Sequence, residues 1–154
     1  MNVRDIMTAN PISIEPDSPL GTAIAVMVDR KIRHLPVVDE QGAVVGIVTD
    51  RDLRSAALAP ALAEYLSEGA RRRLRGITAT LENLRVKDAM TCNPITTSPE
   101  VSVRQAAAVM LEHHIGSLPV IRDGTLIGIV TDRDAVKALA AQMPALQRVT
   151  KSLW

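Results

Sequence analysis

Two stretches of the chain place a hydroxyl, a guanidinium and a carboxylate within four residues: Thr49, Arg51 and Asp52, and again Thr131, Arg133 and Asp134. Each set closes the same heptapeptide, Gly46-Ile47-Val48-Thr49-Asp50-Arg51-Asp52 and Gly128-Ile129-Val130-Thr131-Asp132-Arg133-Asp134. A β-branched run precedes the polar groups and a helical pattern follows, so they sit where a strand ends and a helix N-terminus opens. Unpaired backbone N–H groups at such a terminus favour an anion. The threonine hydroxyl and the guanidinium can add charge-assisted hydrogen bonds to phosphate oxygens, and a carboxylate one turn on can accept from both hydroxyls of a ribose. The chemistry that fits is recognition of a phosphorylated ribose. The plainer reading is a helix cap, because Thr-x-x-Asp resembles a capping box with Asp in place of the usual Glu or Gln. A cap accounts for Thr and Asp. It does not account for Arg51 and Arg133, or for Gly46 and Gly128, whose position inside strands calls for close approach by a ligand or by a facing unit.

Other reactive side chains are sparse. His34, His113 and His114 lack the spacing of a metal site, since adjacent histidines on a helix point apart and no Cys or carboxylate completes a pattern. Cys92 is the single cysteine, which rules out an internal disulfide and reads as a structural thiol of a reducing compartment. No nucleophile–base set, Walker loop or metal cluster is legible, so the sequence reads as a non-enzyme. The Arg71 to Arg75 run reads as a solvated linker face rather than a nucleic-acid patch.

The elements that must position the heptapeptides repeat with them. Val3-Arg4-Asp5-Ile6-Met7-Thr8-Ala9-Asn10-Pro11-Ile12 aligns without a gap on Val86-Lys87-Asp88-Ala89-Met90-Thr91-Cys92-Asn93-Pro94-Ile95, and Leu35-Pro36-Val37 aligns on Leu118-Pro119-Val120. One residue is lost near Gly42/Gly124, after which the heptapeptides coincide. Asn10-Pro11 and Asn93-Pro94 are turn signals; Ile12-Ser13-Ile14 and Ile95-Thr96-Thr97 then read as brief strands. Ser18-Pro19 and Ser102 can start helices. Leu20, Ala23, Ile24 and Met27, like Val103, Ala106, Ala107 and Met110, keep the spacing of one helix face. Two further strands form a hairpin through Gln41-Gly42 and Asp123-Gly124, with Pro36 and Pro119 expected near strand starts, and a helix follows from Asp50 and Asp132. Each unit is thus β-α-β-β-α, and neither has enough core alone, so two α+β units packed sheet to sheet are expected. The expected boundaries are unit 1 over 1–58, a helical linker over 59–85 (a helix running in through Leu58, Leu62, Tyr65 and Leu66, and a second short piece at Leu81 to Leu84), unit 2 over 86–142 and a tail over 143–154.

Composition narrows the function classes. With 154 residues, 47% of them apolar, and a formal net charge of +1, the chain is globular and has no electrostatic drive toward nucleic acid or an anionic membrane. Tyr65 and Trp154 are the only aromatic residues, so stacking platforms for single-stranded nucleic acid are missing and the core must be aliphatic. No apolar run reaches the ~18–20 residues of a membrane span, and the N-terminus lacks the layout of a signal peptide. A cytoplasmic protein is expected.

The Asp-Ile-Met-Thr-x-Asn-Pro opening, the His-Leu-Pro-Val-Val strand and the Gly-Ile-Val-Thr-Asp-Arg-Asp close, recurring in order over residues 3–58 and 86–142, resemble tandem cystathionine-β-synthase (CBS) domains. The resemblance implies pseudo-twofold packing of the two units with two clefts between them, adenosine-containing ligands (AMP, ADP or ATP, with NAD or S-adenosylmethionine as alternatives), and a homodimer. No flanking catalytic or transport domain accompanies the repeat, so a target protein is expected in trans. By the same resemblance each cleft joins one unit's Thr/Asp motif to the other unit's segment before Leu-Pro-Val. Thr131 and Asp134 would face Arg33 and His34, making that the tighter phosphate site, while Thr49 and Asp52 would face Gly116 and Ser117. Ile12, Ser13, Ile95 and Thr96 are base-edge candidates, the isoleucines with core packing as the alternative. The implied function is a regulatory, non-catalytic adenosine-nucleotide sensor acting on a partner; the alternative is a ligand-free structural or protein-interaction module.

Overall fold

The computed structural model describes residues 1–56 and 83–142. The linker residues Leu58 to Leu66, the Arg71 to Arg75 run, Leu81 and the tail from Met143 lie outside the described residues. The chain runs through a 3-10 turn at Val3–Asp5, β1 (Thr8–Ala9), α1 (Leu20–Arg30), β2 (His34–Val38) and β3 (Val44–Thr49). Helix α2 begins at residue 50 and is described to residue 56. The second half repeats the order with α3 (Val86–Ala89), β4 (Thr91–Cys92), α4 (Val103–Glu112), β5 (Ser117–Arg122), β6 (Thr125–Thr131) and α5 (Asp132–Gln142).

The strands form two antiparallel sheets, β2-β3-β4 and β1-β6-β5. Each therefore holds one hairpin from its own unit and one short strand from the other. Thr8 and Ala9 pair with Ile129 and Gly128, while Cys92 and Thr91 pair with Gly46 and Ile47. The exchange extends into the cores. Val3, with Ile6 and Met7 beside it, packs among Ala106, Met110, Leu118, Val120 and Val130 of unit 2. Val86, with Ala89 and Met90, packs among Leu20, Ala23, Met27, Leu35, Val37 and Val48 of unit 1. Backbone bonds fix both crossings: Val3 N–H donates to Val101 C=O (2.8 Å), and Val86 N–H to Ser18 C=O (2.9 Å). The opening segment of each repeat thus completes the other repeat's core, which ties the two units into one fold.

The units are related by a pseudo-twofold axis. His34 and Ser117 occupy equivalent places in the repeat and touch each other, Ser117 Oγ lying 3.0 Å from His34 Nδ1. The reciprocal pairing of β1 with β6 and of β4 with β3 has the same symmetry.

Local chemistry explains the remaining choices. Ser102 caps α4 with a full box: its Oγ accepts from Gln105 N–H (3.2 Å) and donates to Gln105 Oε1 (2.7 Å). Helix α1 starts one residue later than Ser18-Pro19 implied, with Pro19 at the cap and the Leu20 N–H donating instead to Leu84 C=O (2.8 Å). Pro36 and Pro119 lie inside β2 and β5, not at their starts. Both strands are sheet edges, where the missing N–H breaks no ladder. Ile12-Ser13-Ile14 and Ile95-Thr96-Thr97 are not ladder strands; each is reduced to a single parallel bridge, Ile14 to Val37 and Thr97 to Val120. No helix among the described residues is long and apolar enough to cross a membrane.

Candidate functional site

Both heptapeptides form the same hydrogen-bonded box. Asp52 Oδ2 accepts from the Thr49 N–H (2.8 Å) and the Thr49 hydroxyl (2.8 Å), while the Asp52 N–H donates to Thr49 Oγ1 (3.3 Å). At the second copy the distances are 3.0, 2.7 and 3.2 Å. Capping is therefore built into both copies, and it changes what each group can still do. In this arrangement the threonine proton is given to the carboxylate, so Thr49 Oγ1 is presented as an acceptor and not, as its position in the sequence suggested, as a donor to a phosphate. The helix N-terminus is also largely consumed. Asp50 N–H donates to Arg33 C=O and Asp132 N–H to Gly116 C=O, both at 3.0 Å. What remains open is Asp52 Oδ1, an acceptor without a partner among the described residues.

The strand glycines have a structural cause. A Cβ on Gly46 would collide with the Met90 side chain, and one on Gly128 with Met7. These methionines come from the exchanged segments, so the close approach is made by the facing unit and not by a ligand.

In front of Thr49 and Asp52 lies a cleft of about 960 Å³, within the range of small-molecule sites. Unit 1 contributes Arg33, His34, Thr49, Arg51 and Asp52; the exchanged segment adds Thr91, Asn93 and Ile95; unit 2 closes it with Ala107, His113, His114, Gly116, Ser117 and Ala135. The structure thus gathers Thr49, Arg51, Asp52, Arg33, His34, Gly116, Ser117 and Ile95 from the sequence candidates. Arg33 and His34, which the sequence assigned to the Thr131/Asp134 side, line the Thr49/Asp52 cleft because they sit on the axis. Thr131, Arg133 and Asp134 do not line it. Thr96 faces a separate shallow depression with Ser98 and Asp123. Ser13 is exposed on the segment that follows β1. Ile12 and Ile95 are 39% and 37% exposed, so neither is a core residue. Sequence reasoning missed Thr91 and Asn93, although the gapless match of Met90-Thr91-Cys92-Asn93 to Met7-Thr8-Ala9-Asn10 marked them. It also passed over His113 and His114, which reach the cleft at the end of α4, His114 with φ 54° like its counterpart Lys31.

The cleft lining carries three arginines, Arg33, Arg51 and Arg54, and three aspartates, Asp50, Asp52 and Asp132. Arg54 is tied to Asp50 at 3.0 Å, and Asp52 is engaged with Thr49. Arg33 and Arg51 have no ion-pair partner among the described residues. His34 titrates below the ordinary imidazole value, first because it is buried and second because Arg33 is close; Asp132, Asp50 and Asp52 pull the other way. The fixed positive charge of the cleft is that of its arginines, set against its aspartates.

Ser117 and His34 are a hydroxyl and a base in contact, without the third group that orients the base in a triad. Ser117 is 5% exposed, and no hydrogen bond joins His34 to Asp132 to orient the ring as a triad requires. Among the described residues no group of His, Cys, Asp or Glu is placed to hold a metal ion.

Two α+β repeats that exchange strands and share an axial cleft define a paired-domain module. Residues 3–59 and 86–141 match the CBS domain model, and the chain belongs to the CBS-domain family. It is 36% identical over 141 residues to a CBS domain-containing protein of Dictyostelium discoideum, covering 89% of this chain and 90% of that one. Inosine-5'-monophosphate dehydrogenase of Nitrosopumilus maritimus is 31% identical, but the match covers 84% of this chain and only 22% of the enzyme. Among solved structures, CBSX2 in complex with AMP is 29% identical with a TM-score of 0.71, covering 91% of this chain and 96% of that one. The CBS domain pair of protein MJ0100 in complex with 5'-methylthioadenosine and S-adenosyl-L-methionine is 28% identical with a TM-score of 0.73, covering 93% and 98%.

Proposed function

We propose that this chain is a regulatory, non-catalytic module that binds an adenosine nucleotide of the AMP, ADP or ATP type in the Thr49/Asp52 cleft and signals to a partner protein through a change in packing between its units. The observation that carries the reading is the state of the Asp52 carboxylate. One oxygen holds the cap and the other is open toward a cleft flanked by two arginines without ion-pair partners among the described residues. In this arrangement Asp52 Oδ1 accepts from one ribose hydroxyl and Thr49 Oγ1 from the other. Ile95 and the backbone around Asn93 take the base edge, and Arg33 and Arg51 take the phosphate. A neutral thioether would leave those arginines unanswered, and S-adenosylmethionine offers them one carboxylate beside two cationic groups, which ranks the phosphorylated ligands above both. The complexes of the two solved relatives with adenosine compounds support the chemical class. Signalling requires the ligand to favour one packing over another, and the exchanged strands supply a junction at which both units feel it.

A second reading, a protein-interaction module and homodimer, has its own observation. Val28 and Leu139 are 69% and 63% exposed on α1 and α5, outside the cleft that Leu111 and Val136 line. The two readings are compatible. Isothermal titration with AMP, ATP, NAD and S-adenosylmethionine separates the first from the second alone: AMP or ATP binds most tightly if nucleotide is the ligand, and no heat with any of the four leaves only the interaction module.

A further inference from the structure

We infer that Ser117 is a positioning residue for the ligand: from unit 2 it holds the His34 ring of unit 1 in the tautomer that presents an Nε2–H donor to the cleft; this rests on the nucleotide reading above. Among the described residues Ser117 is the one buried polar side chain, 5% exposed. Its hydroxyl has a single hydrogen-bond partner among them, His34 Nδ1 at 3.0 Å. A hydroxyl has one proton to give, and a buried donor left without an acceptor is costly. With no other acceptor in reach among the described residues, the Ser117 hydroxyl donates to Nδ1. That nitrogen then bears no hydrogen, and a neutral imidazole carries its proton at Nε2. Burial and Arg33 hold the ring below its ordinary titration range, which favours the neutral form.

The second nitrogen is open. His34 Nε2 has no hydrogen-bond partner among the described residues, and no buried side-chain nitrogen among them lacks one, so Nε2 is not sealed in the protein. His34 and Gly116 both line the cleft. Gly116 makes room for this edge of the ring, since a Cβ there would stand 3.1 Å from His34 Cε1 and 3.6 Å from Nε2. Asp132 lies on the same side, its Oδ2 3.7 Å from that Cβ position, but no hydrogen bond joins it to the ring and the Nε2 proton stays free for a ligand. Arg33 precedes His34 and lines the same cleft. A phosphate held by Arg33 would receive a hydrogen bond from Nε2 without a further charge. The opposite tautomer would set an Nε2 lone pair against the phosphate oxygens. Because the hydroxyl and the ring belong to different units, the donor is in place only while the units keep this packing, which links the ligand contact to the packing change.

The tautomer is read directly in the ligand-free full chain from the nitrogen and carbon NMR resonances of the His34 ring, assigned by comparison with His34→Gln. The expected form is Nε2–H. An Nδ1–H ring overturns the inference and leaves the nucleotide reading standing. Titration calorimetry of the full chain then separates positioning from a structural role. Ser117→Ala should weaken AMP by about threefold or more, because the donor to the phosphate is no longer held, and should leave adenosine, which lacks the phosphate, within about twofold. Equal losses for AMP and adenosine, or no loss for AMP, overturn the inference. Should Ser117→Ala fail to fold, the resonances of the unaltered chain decide on their own. Absence of binding by AMP, ADP and ATP to the unaltered chain overturns the nucleotide reading and this role with it.

Discussion

Asp52→Ala and Asp134→Ala form a matched pair that separates the capping role of the carboxylate from its ligand role. In each variant a helix loses the acceptor for the threonine N–H and hydroxyl, and the Thr–Asp hydrogen bonds that disappear have the same lengths in the two copies to within 0.2 Å. Loss of such a cap costs about 1 kcal/mol, within a range of roughly 0.5–2. Both threonines are half-buried, so the abandoned N–H is imperfectly hydrated and the cost should fall at roughly 1–2 kcal/mol. For a domain of this size each kcal/mol moves Tm by about 2–4 °C. Ligand-free, both variants should therefore melt about 2–8 °C below the parent and close to each other.

With AMP at 100 times its Kd, the parent gains about 2.7 kcal/mol by mass action. Asp134→Ala should keep that increment. Asp52→Ala, if tenfold weaker, should gain about 1.4 kcal/mol or less at the same concentration. Differential scanning calorimetry with and without AMP reads all of these. Equal AMP increments in the two variants would refute the ligand role of Asp52 and leave it a cap. A ligand-free cost at one position and none at the other would refute the equivalence of the boxes.

Two further perturbations follow from the packing and the charges. Gly46→Ala drives a methyl group into Met90 and should cost about 1–3 kcal/mol as an overpacked core does; combined with Met90→Ala the loss should be smaller than the sum, and strict additivity in urea unfolding would contradict the clash. His34 binds a proton less readily in the folded chain than in the unfolded one, because burial and Arg33 hold it below 6.5. Its contribution to stability is therefore full above pH 6.5 and is lost as pH falls through the folded value. His34→Gln should flatten that part of the stability–pH curve between pH 7.5 and 5.5, and an unchanged slope would show that the ring is not protected from protonation.

Much of the fold was legible in the residues. The duplicated heptapeptide, the hairpins turning at Gly42 (φ 79°) and Gly124 (φ 78°), and the helix faces of Leu20 to Met27 and Val103 to Met110 all arise from local spacing, which a sequence displays. The exchange of Val3–Ala9 for Val86–Cys92 was not legible, because the two segments have nearly the same pattern and either satisfies either sheet; three-dimensional connection decides, not propensity. The glycines were ambiguous for the same reason: the atom that needs the space belongs to a methionine 44 residues away from Gly46 in sequence and, at Gly128, one 121 away. Thr49 was identified as a site residue, but the direction of its hydrogen bond depends on the Asp52 rotamer, which spacing does not encode. The histidines at 34, 113 and 114 looked unrelated along the chain and line one cleft because β2 begins, and α4 ends, beside it.

The most direct test of the central claim is a crystal structure of the full chain grown with AMP. The account predicts AMP in the cleft with a ribose hydroxyl on Asp52 Oδ1, the base beside Ile95 and the phosphate toward Arg33 and Arg51. AMP bound against Asp134 with the Asp52 cleft empty would contradict it.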